Sequence, residues 1–124
     1  MDPDLEGCAV KIADIVALAR GGRTVLVVPE TQDAGRALFE TIDPATLVDV
    51  THVRRSTGRE LVKFTGGGEV RFTSAGSVRL GGARGHRADV VLVDSRALPD
   101  DRLTHELEPC VATTGGSLVV APLG

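Results

Sequence analysis

The side chains best suited to chemistry in this 124-residue sequence are arginines in the middle of the chain. Residues 52–88 contain eight lysines and arginines against two glutamates, a charge of +6, whereas the remainder carries −9. Guanidinium groups fork onto phosphate or carboxylate oxygens, so a basic segment in an acidic chain predicts an anion-facing surface. The residues predicted to bind nucleic acid or an acidic partner are Arg54, Arg55, Arg59, Arg79, Arg84 and Arg87.

Two interpretations of this basic segment stay open. If the turn at 54–59 and the Gly- and Arg-rich stretch 76–87 converge, they form one patch for a phosphate backbone. Such contacts add affinity without reading base sequence, and they weaken as salt rises. The alternative is that the arginines only keep a β-rich segment soluble. The sequence has three Phe and no Tyr or Trp, which argues against a platform of aromatic rings for single-stranded bases.

A hydrolytic or metal-dependent site finds little support. Asp94, Ser95 and His105 could be arranged as a hydrolase triad, but Ser95 lacks the GxSxG turn that exposes a nucleophile. The three histidines and two cysteines include no close-spaced ligand pair, so no metal site is expected. Asp100 and Asp101 suit the N-cap and first turn of a helix, where carboxylates are favoured by the helix dipole.

Helices and strands alternate along most of the sequence. Apolar periodicity predicts helices over residues 8–20, 31–42 and 99–112. Continuous apolar runs, typical of strands buried on both faces of a parallel sheet, lie at residues 24–28, 88–94 and 117–121. This alternation predicts an α/β fold with three layers, in which helices flank a mainly parallel sheet.

The segment between the second helix and the strand at 88–94 has a different pattern. Residues 47–53 alternate and predict a strand, and two short runs on either side of residues 65–68 predict a β-hairpin. The Gly-rich stretch 74–87 is predicted to be a loop. We therefore expect a single domain over residues 1–124, with a β-hairpin excursion inserted at about 48–75.

Two stretches follow the order of a known protein family. They are residues 21–42 (GGRTVLVVPETQDAGRALFETI) and 69–94 (EVRFTSAGSVRLGGARGHRADVVLVD). Together they resemble the ATPase core of P-loop NTPases of the helicase and translocase type, most closely phage terminase large subunits. In that family a hairpin-like strand leads through an Arg- and Gly-rich turn to the apolar Walker B strand. The resemblance implies a phage-encoded protein of the host cytoplasm, with Asp94 in the Walker B position.

The sequence departs from that family at both nucleotide-handling motifs. A P-loop has the pattern GxxxxGK[ST], whose backbone N–H groups wrap the phosphates. If Lys11 is aligned with the motif's lysine, Leu5 and Val10 stand where the glycines belong. Ile12 then replaces the hydroxyl residue, and Ser95 replaces the Walker B glutamate, although serine is a poor base near pH 7. We expect no ATPase activity and no cofactor, with Lys11 as a candidate phosphate contact.

The sequence thus favours a non-catalytic binding or regulatory module that contacts nucleic acid or an acidic protein through residues 54–87. A homo-oligomer is also expected, since one part of the chain is acidic and another is basic. The alternative is a DNA-packaging or helicase component whose P-loop comes from a second chain, with Arg84 or Arg87 acting in trans. No 18-residue apolar run and no apolar N-terminal segment occur, so we expect no membrane contact and a cytoplasmic location.

Overall fold

The computed structural model describes residues 11–42, 49–56, 59–97 and 100–123. Its helices are α1 (Ile12–Arg20), α2 (Gln32–Glu40), α3 (Ala75–Arg79) and α4 (Asp101–Ala112), with a 3-10 turn at Ser95–Ala97. Its strands are β1 (Thr24–Val28), β2 (Val50–Arg54), β3 (Leu61–Phe64), β4 (Glu69–Phe72), β5 (Val90–Asp94) and β6 (Ser117–Ala121). The predicted start of the first helix at residue 8 lies outside the described residues.

The strands form one sheet in the order β2-β3-β4-β1-β5-β6. The central strand β1 runs parallel to β4 on one side and to β5 on the other, and β6 is parallel to β5. The antiparallel pairs are β3 with β4 and β2 with β3. The mainly parallel α/β fold is therefore confirmed. The β3–β4 hairpin extends the same sheet, because β4 pairs directly with β1.

Helices cover both faces of the sheet and divide the core into two apolar clusters. On one face, Ile15 of α1 and Phe39 of α2 pack on residues such as Val27. On the other face, α3 and α4 cover β1 and β5, and Leu103 and Leu107 are fully buried there. All five residues of β5 are buried, which explains why its first four residues are a continuous apolar run rather than an alternating one.

The prediction of a loop over residues 74–87 is wrong at its start, where α3 forms. The Ser74 hydroxyl accepts a hydrogen bond from the Ser77 backbone N–H at 3.2 Å and so caps the helix. Ala75 and Val78 are buried against the α4 side of the core. A five-residue helix is too short to show apolar periodicity, and the glycines around it favour the interpretation as a loop.

Side-chain caps fix where α2 and α4 begin. The Asp100 carboxylate accepts from the Leu103 N–H at 2.8 Å, which confirms the predicted cap of α4. Thr31 caps α2 in the same way through the Ala34 N–H, at 3.1 Å. No helix among the described residues has both the length and the apolar character needed to cross a bilayer.

Candidate functional site

Strand register places two arginines on one face of the sheet. Arg54 of β2 lies opposite Leu61 of β3, and Leu61 lies opposite Arg71 of β4. Paired residues on neighbouring strands point to the same face. This row continues through Leu26 and Val91, which belong to the core cluster beneath α3 and α4. The face is therefore apolar where helices cover it and cationic over β2, β3 and β4.

A groove lies between this cationic part of the sheet and the segment that contains α3 and the turns after it. Its first section has a volume of about 310 Å³. The polar residues that line this section are Arg54, Arg59, Arg71, Thr73, Ser77 and His86. A second section of about 490 Å³ is lined by Thr24, Glu69, Arg84 and Arg87, and Arg71 and His86 line both sections. We call the two sections together the basic groove.

The structure brings four of the six sequence-predicted arginines to this groove: Arg54, Arg59, Arg84 and Arg87. Arg55 instead places its guanidinium 5.9 Å from the centre of the Phe39 ring, on the α2 side of the sheet. Arg79 donates to the Ala97 carbonyl at 2.9 Å and lies 3.5 Å from the Asp100 carboxylate. Neither of these two residues lines the groove.

The charges of the groove are only partly neutralised. Arg84 pairs with Glu106 at 3.1 Å, and this bond holds the pKa of the Glu106 carboxyl below its usual value. Arg71 pairs with Glu69 at 3.2 Å. In the part of the chain that the structure describes, no carboxylate lies within 4.0 Å of the guanidinium groups of Arg54, Arg59 and Arg87. The groove thus offers unpaired cations to an anionic ligand.

Sequence reasoning missed Arg71 and His86, the two residues shared by both sections of the groove. In the sequence Arg71 is one positive charge among several, and its register opposite Leu61 shows that it faces the groove. The alternation around it was a usable signal, since Val70 and Phe72 are buried on the other face of β4. For His86 the sequence offers no comparable signal, because it lies in an irregular turn.

The pKa of His86 is lowered, first by burial and then by the Arg71 guanidinium, with Glu69 acting in the opposite direction. The unfolded chain titrates near the ordinary value of 6.5 and so binds this proton more readily than the folded protein. We therefore expect the free energy of unfolding to fall as pH drops through 6.5 and to level off below the folded pKa. His86→Gln should remove this contribution, so urea unfolding of both proteins between pH 5 and 8 should diverge only at acid pH. Parallel profiles would contradict the assignment.

Asp94 and Lys11, the residues that the resemblance aligns with nucleotide-handling positions, lie elsewhere. Asp94 ends β5, is 3% exposed, and accepts a hydrogen bond from the Arg96 backbone N–H at 3.0 Å. It lines a cleft of about 320 Å³ beside α2, whose wall includes Leu38. Lys11 is exposed at the N-cap of α1 and does not line this cleft. Within the described residues, no three His, Cys, Asp or Glu side chains are grouped so that they could hold a metal ion.

Comparison with solved structures defines the class of fold. No family model and no curated protein matches the sequence. The ATPase domain of the Thermus phage P74-26 large terminase superposes with a TM-score of 0.65 at 18% identity, over 88% of this chain and 51% of that one. A point mutant of the same domain gives 0.64 at 18% identity, over 88% and 52%. The large terminase of the thermophilic bacteriophage D6E, in complex with ADP, gives 0.58 at 16%, over 88% and 28%.

These matches define the class of fold, an α/β fold with a mainly parallel sheet flanked by helices. More particularly, it is the fold of phage large terminase ATPase domains, and the resemblance seen in the sequence is confirmed at that level. The chain spans about half the length of the two ATPase domains that it matches. At identities below a fifth, the likeness describes the fold and leaves the function to be argued from the site.

Proposed function

We propose that this chain is a non-catalytic binding module, phage-encoded and derived from a terminase-like ATPase core, that binds nucleic acid through the basic groove. The observation that carries the proposal is the register of Arg54, Leu61 and Arg71, which sets two arginines on one open sheet face. Arg59 stands beside them without an ion pair in the described part of the chain. The host cytoplasm is the location that fits such a module.

Phosphate is the anion that best suits this arrangement. Neighbouring strands lie about 4.8 Å apart, so Arg54 and Arg71, two strands apart, start from backbone positions roughly 10 Å from each other. Long arginine side chains from such positions can converge on one phosphate or contact two successive ones. The strands hold these positions rigidly, which lowers the entropy lost when a ligand is bound.

The proposed lack of catalysis is supported by the surroundings of Asp94. One oxygen of its buried carboxylate already accepts the Arg96 N–H, and the following residue is Ser95, whose hydroxyl is a poor base near pH 7. Lys11 lies at a helix start without the glycines that let a backbone wrap phosphates. The isolated chain should therefore show no nucleotide hydrolysis above the blank, whereas measurable hydrolysis would favour an ATPase-related component.

Binding should be measured by fluorescence anisotropy with labelled 20-nucleotide DNA, single-stranded and duplex, at roughly 50 and 200 mM salt. With about four phosphate contacts, we expect the affinity to fall roughly 50- to 150-fold over that range. No binding of either DNA at the lower salt would overturn the nucleic-acid proposal. If polyglutamate then bound where DNA did not, the groove would instead serve an acidic protein partner.

A pair of double variants separates the groove from overall charge. Arg54→Ala with Arg59→Ala removes two groove cations, and Lys11→Ala with Arg96→Ala removes two exposed cations that do not line the groove. Both change the net charge of −3 by the same two units. We expect the first to weaken DNA binding by about ten-fold or more and to reduce the salt slope, and the second to change it by less than about two-fold. Equal losses would show that overall charge, not the groove, determines binding.

Self-association is a second candidate, favoured by the other end of the sheet. Among the described residues, β6 is an outer strand, and its Val119 and Val120 are 38% and 47% exposed. An uncharged outer strand with exposed valines can pair with another strand, including that of a second copy. Sedimentation of the wild type and a Val120→Lys variant over a range of concentrations tests this, because a lysine at that edge should keep the chain monomeric.

A further inference from the structure

Arg71 differs from the other groove arginines because it lies on the floor of the groove. Its side chain is 34% exposed and is held by Glu69 at 3.2 Å, whereas the walls carry exposed cations such as Arg54 and Arg59. His86 and Ser77 stand on the opposite wall. A nucleic-acid duplex is a wide rod whose phosphates meet the rims of the groove first. The backbone of a single strand is narrow enough to reach the floor of the groove.

A second, independent observation concerns Leu80, which follows α3 and is 88% exposed. The other large apolar side chains exposed by more than a third, among the described residues, are Val119 and Val120 of β6. Leu80 lies between Ser77 and Gly82 in the chain, and both of these line the groove. The Gly82 N–H donates to the Ser77 carbonyl at 2.8 Å, so this turn is closed and holds Leu80 outward.

A single strand of nucleic acid presents anionic phosphates and apolar base faces. A cationic groove suits the phosphates, and an exposed leucine suits the base faces. The bases of a single strand present apolar faces that a duplex keeps stacked inside. The aromatic rings that most proteins use against such faces are absent here, because Phe39, Phe64 and Phe72 are at most 3% exposed. Leu80 does not line the groove, but among the described residues it is the exposed large apolar side chain that lies between two groove residues in the chain, and we expect it to cover a base in place of an aromatic ring.

We propose that the basic groove takes a single strand of nucleic acid in preference to a duplex, with Arg71 contacting a phosphate on the groove floor and Leu80 covering a base at its rim. This inference rests on the proposed function and narrows its ligand. Contact with one base face and with phosphates carries no sequence information, so the preference is for strandedness and not for a particular base order.

The test is a competition between oligo-dT of 20 nucleotides and a 20-base-pair duplex at about 50 mM salt, followed by anisotropy. We expect the wild type to favour the single strand by about ten-fold. Arg71→Gln should weaken single-strand binding by about ten-fold and duplex binding by no more than about three-fold, so that the preference for the single strand falls. Leu80→Ser should weaken single-strand binding by about five-fold and leave the duplex unchanged. Since Leu80 is exposed, this variant does not depend on the core for folding.

The outcomes separate the two proposals. If the duplex binds as tightly as oligo-dT, or if Arg71→Gln and Leu80→Ser weaken both ligands equally, the single-strand inference is overturned while the binding proposal stands. If neither DNA binds, the binding proposal itself is wrong. Arg71→Lys provides a check on folding, because it keeps the charge beside Glu69 and should retain the strand preference with reduced affinity.

Discussion

Gly68→Ala is expected to lower the free energy of unfolding by about 3 kcal/mol or more. A Cβ on Gly68 would lie 1.9 Å from the Ala19 carbonyl oxygen and 2.8 Å from that of Arg23. Both oxygens belong to backbone, at the end of α1 and just before β1, so neither can move aside as a flexible side chain would. The β3–β4 turn would have to separate from α1, and β4 pairs directly with the central strand β1.

The control for this prediction is Gly76→Ala, which adds the same methyl group in α3. Gly76 is exposed, and a Cβ there meets no atom within 4 Å. Because alanine is the better helix former, this variant should gain about 0.5–1 kcal/mol. Urea unfolding followed by circular dichroism measures both changes. A Gly68→Ala protein with the wild-type midpoint would show that the hairpin turn does not pack on α1 as described.

Gly68 also makes a contact that the sequence does not predict. Residues 65–68 predicted a hairpin turn from local composition alone, and β3 and β4 confirm it. The close approach of Gly68 to Ala19 is a contact between parts of the chain far apart in sequence, and turn chemistry carries no information about it. The same reasoning applies to sheet order. Apolar runs located the strands, but the placement of β4 beside β1 depends on pairing that a single sequence does not specify.

The sequence predicts a positively charged surface, but it does not predict where in the fold that surface lies. Arg54 and Arg55 have equal weight in a charge count, yet consecutive residues of an extended chain point to opposite sides. Arg54 therefore lines the groove, while Arg55 turns toward the Phe39 ring on the other face. The charge pattern likewise includes Arg79 among the ligand contacts, but in α3 its guanidinium lies 3.5 Å from the Asp100 carboxylate. Secondary structure and register, not composition, decide which cations share a site.

Fold and motif carry different kinds of information in this chain. The buried strand that ends at Asp94 and the order of the sheet establish the terminase-type fold, because they determine how the core packs. A side chain outside the buried core, such as the partly exposed Ser95, can change while the fold persists. The proposed lack of catalysis rests partly on Ser95, which follows Asp94. The fold alone therefore does not specify the function, and the proposed function depends on the basic groove.

Arg36→Met is the second change with a large expected effect, a loss of about 3 kcal/mol. Glu60 is 2% exposed, and its Oε2 lies 4.0 Å from an Arg36 nitrogen with no hydrogen-bond partner among the described residues. Arg36 also donates to the Arg55 carbonyl oxygen and lies 5.5 Å over the Phe39 ring. Methionine keeps the apolar stem on the ring but leaves the Glu60 carboxylate buried without a counter-charge.

A double-mutant cycle tests whether the buried Glu60 carboxylate causes the loss of stability in Arg36→Met. Glu60→Gln removes the charge that needs Arg36, so Arg36→Met should cost about 1 kcal/mol in the Glu60→Gln background instead of about 3. Glu40→Gln is the control, because its pair with Arg36 is 57% exposed on the Glu40 side and should contribute less than about 0.5 kcal/mol. Additive losses in the cycle would mean that Arg36 acts only through Arg55 and Phe39.

Arg36 of α2 also bonds to the β2–β3 connection that carries Arg59. We therefore expect Arg36→Met to weaken DNA binding as well, whereas Glu60→Gln alone should not.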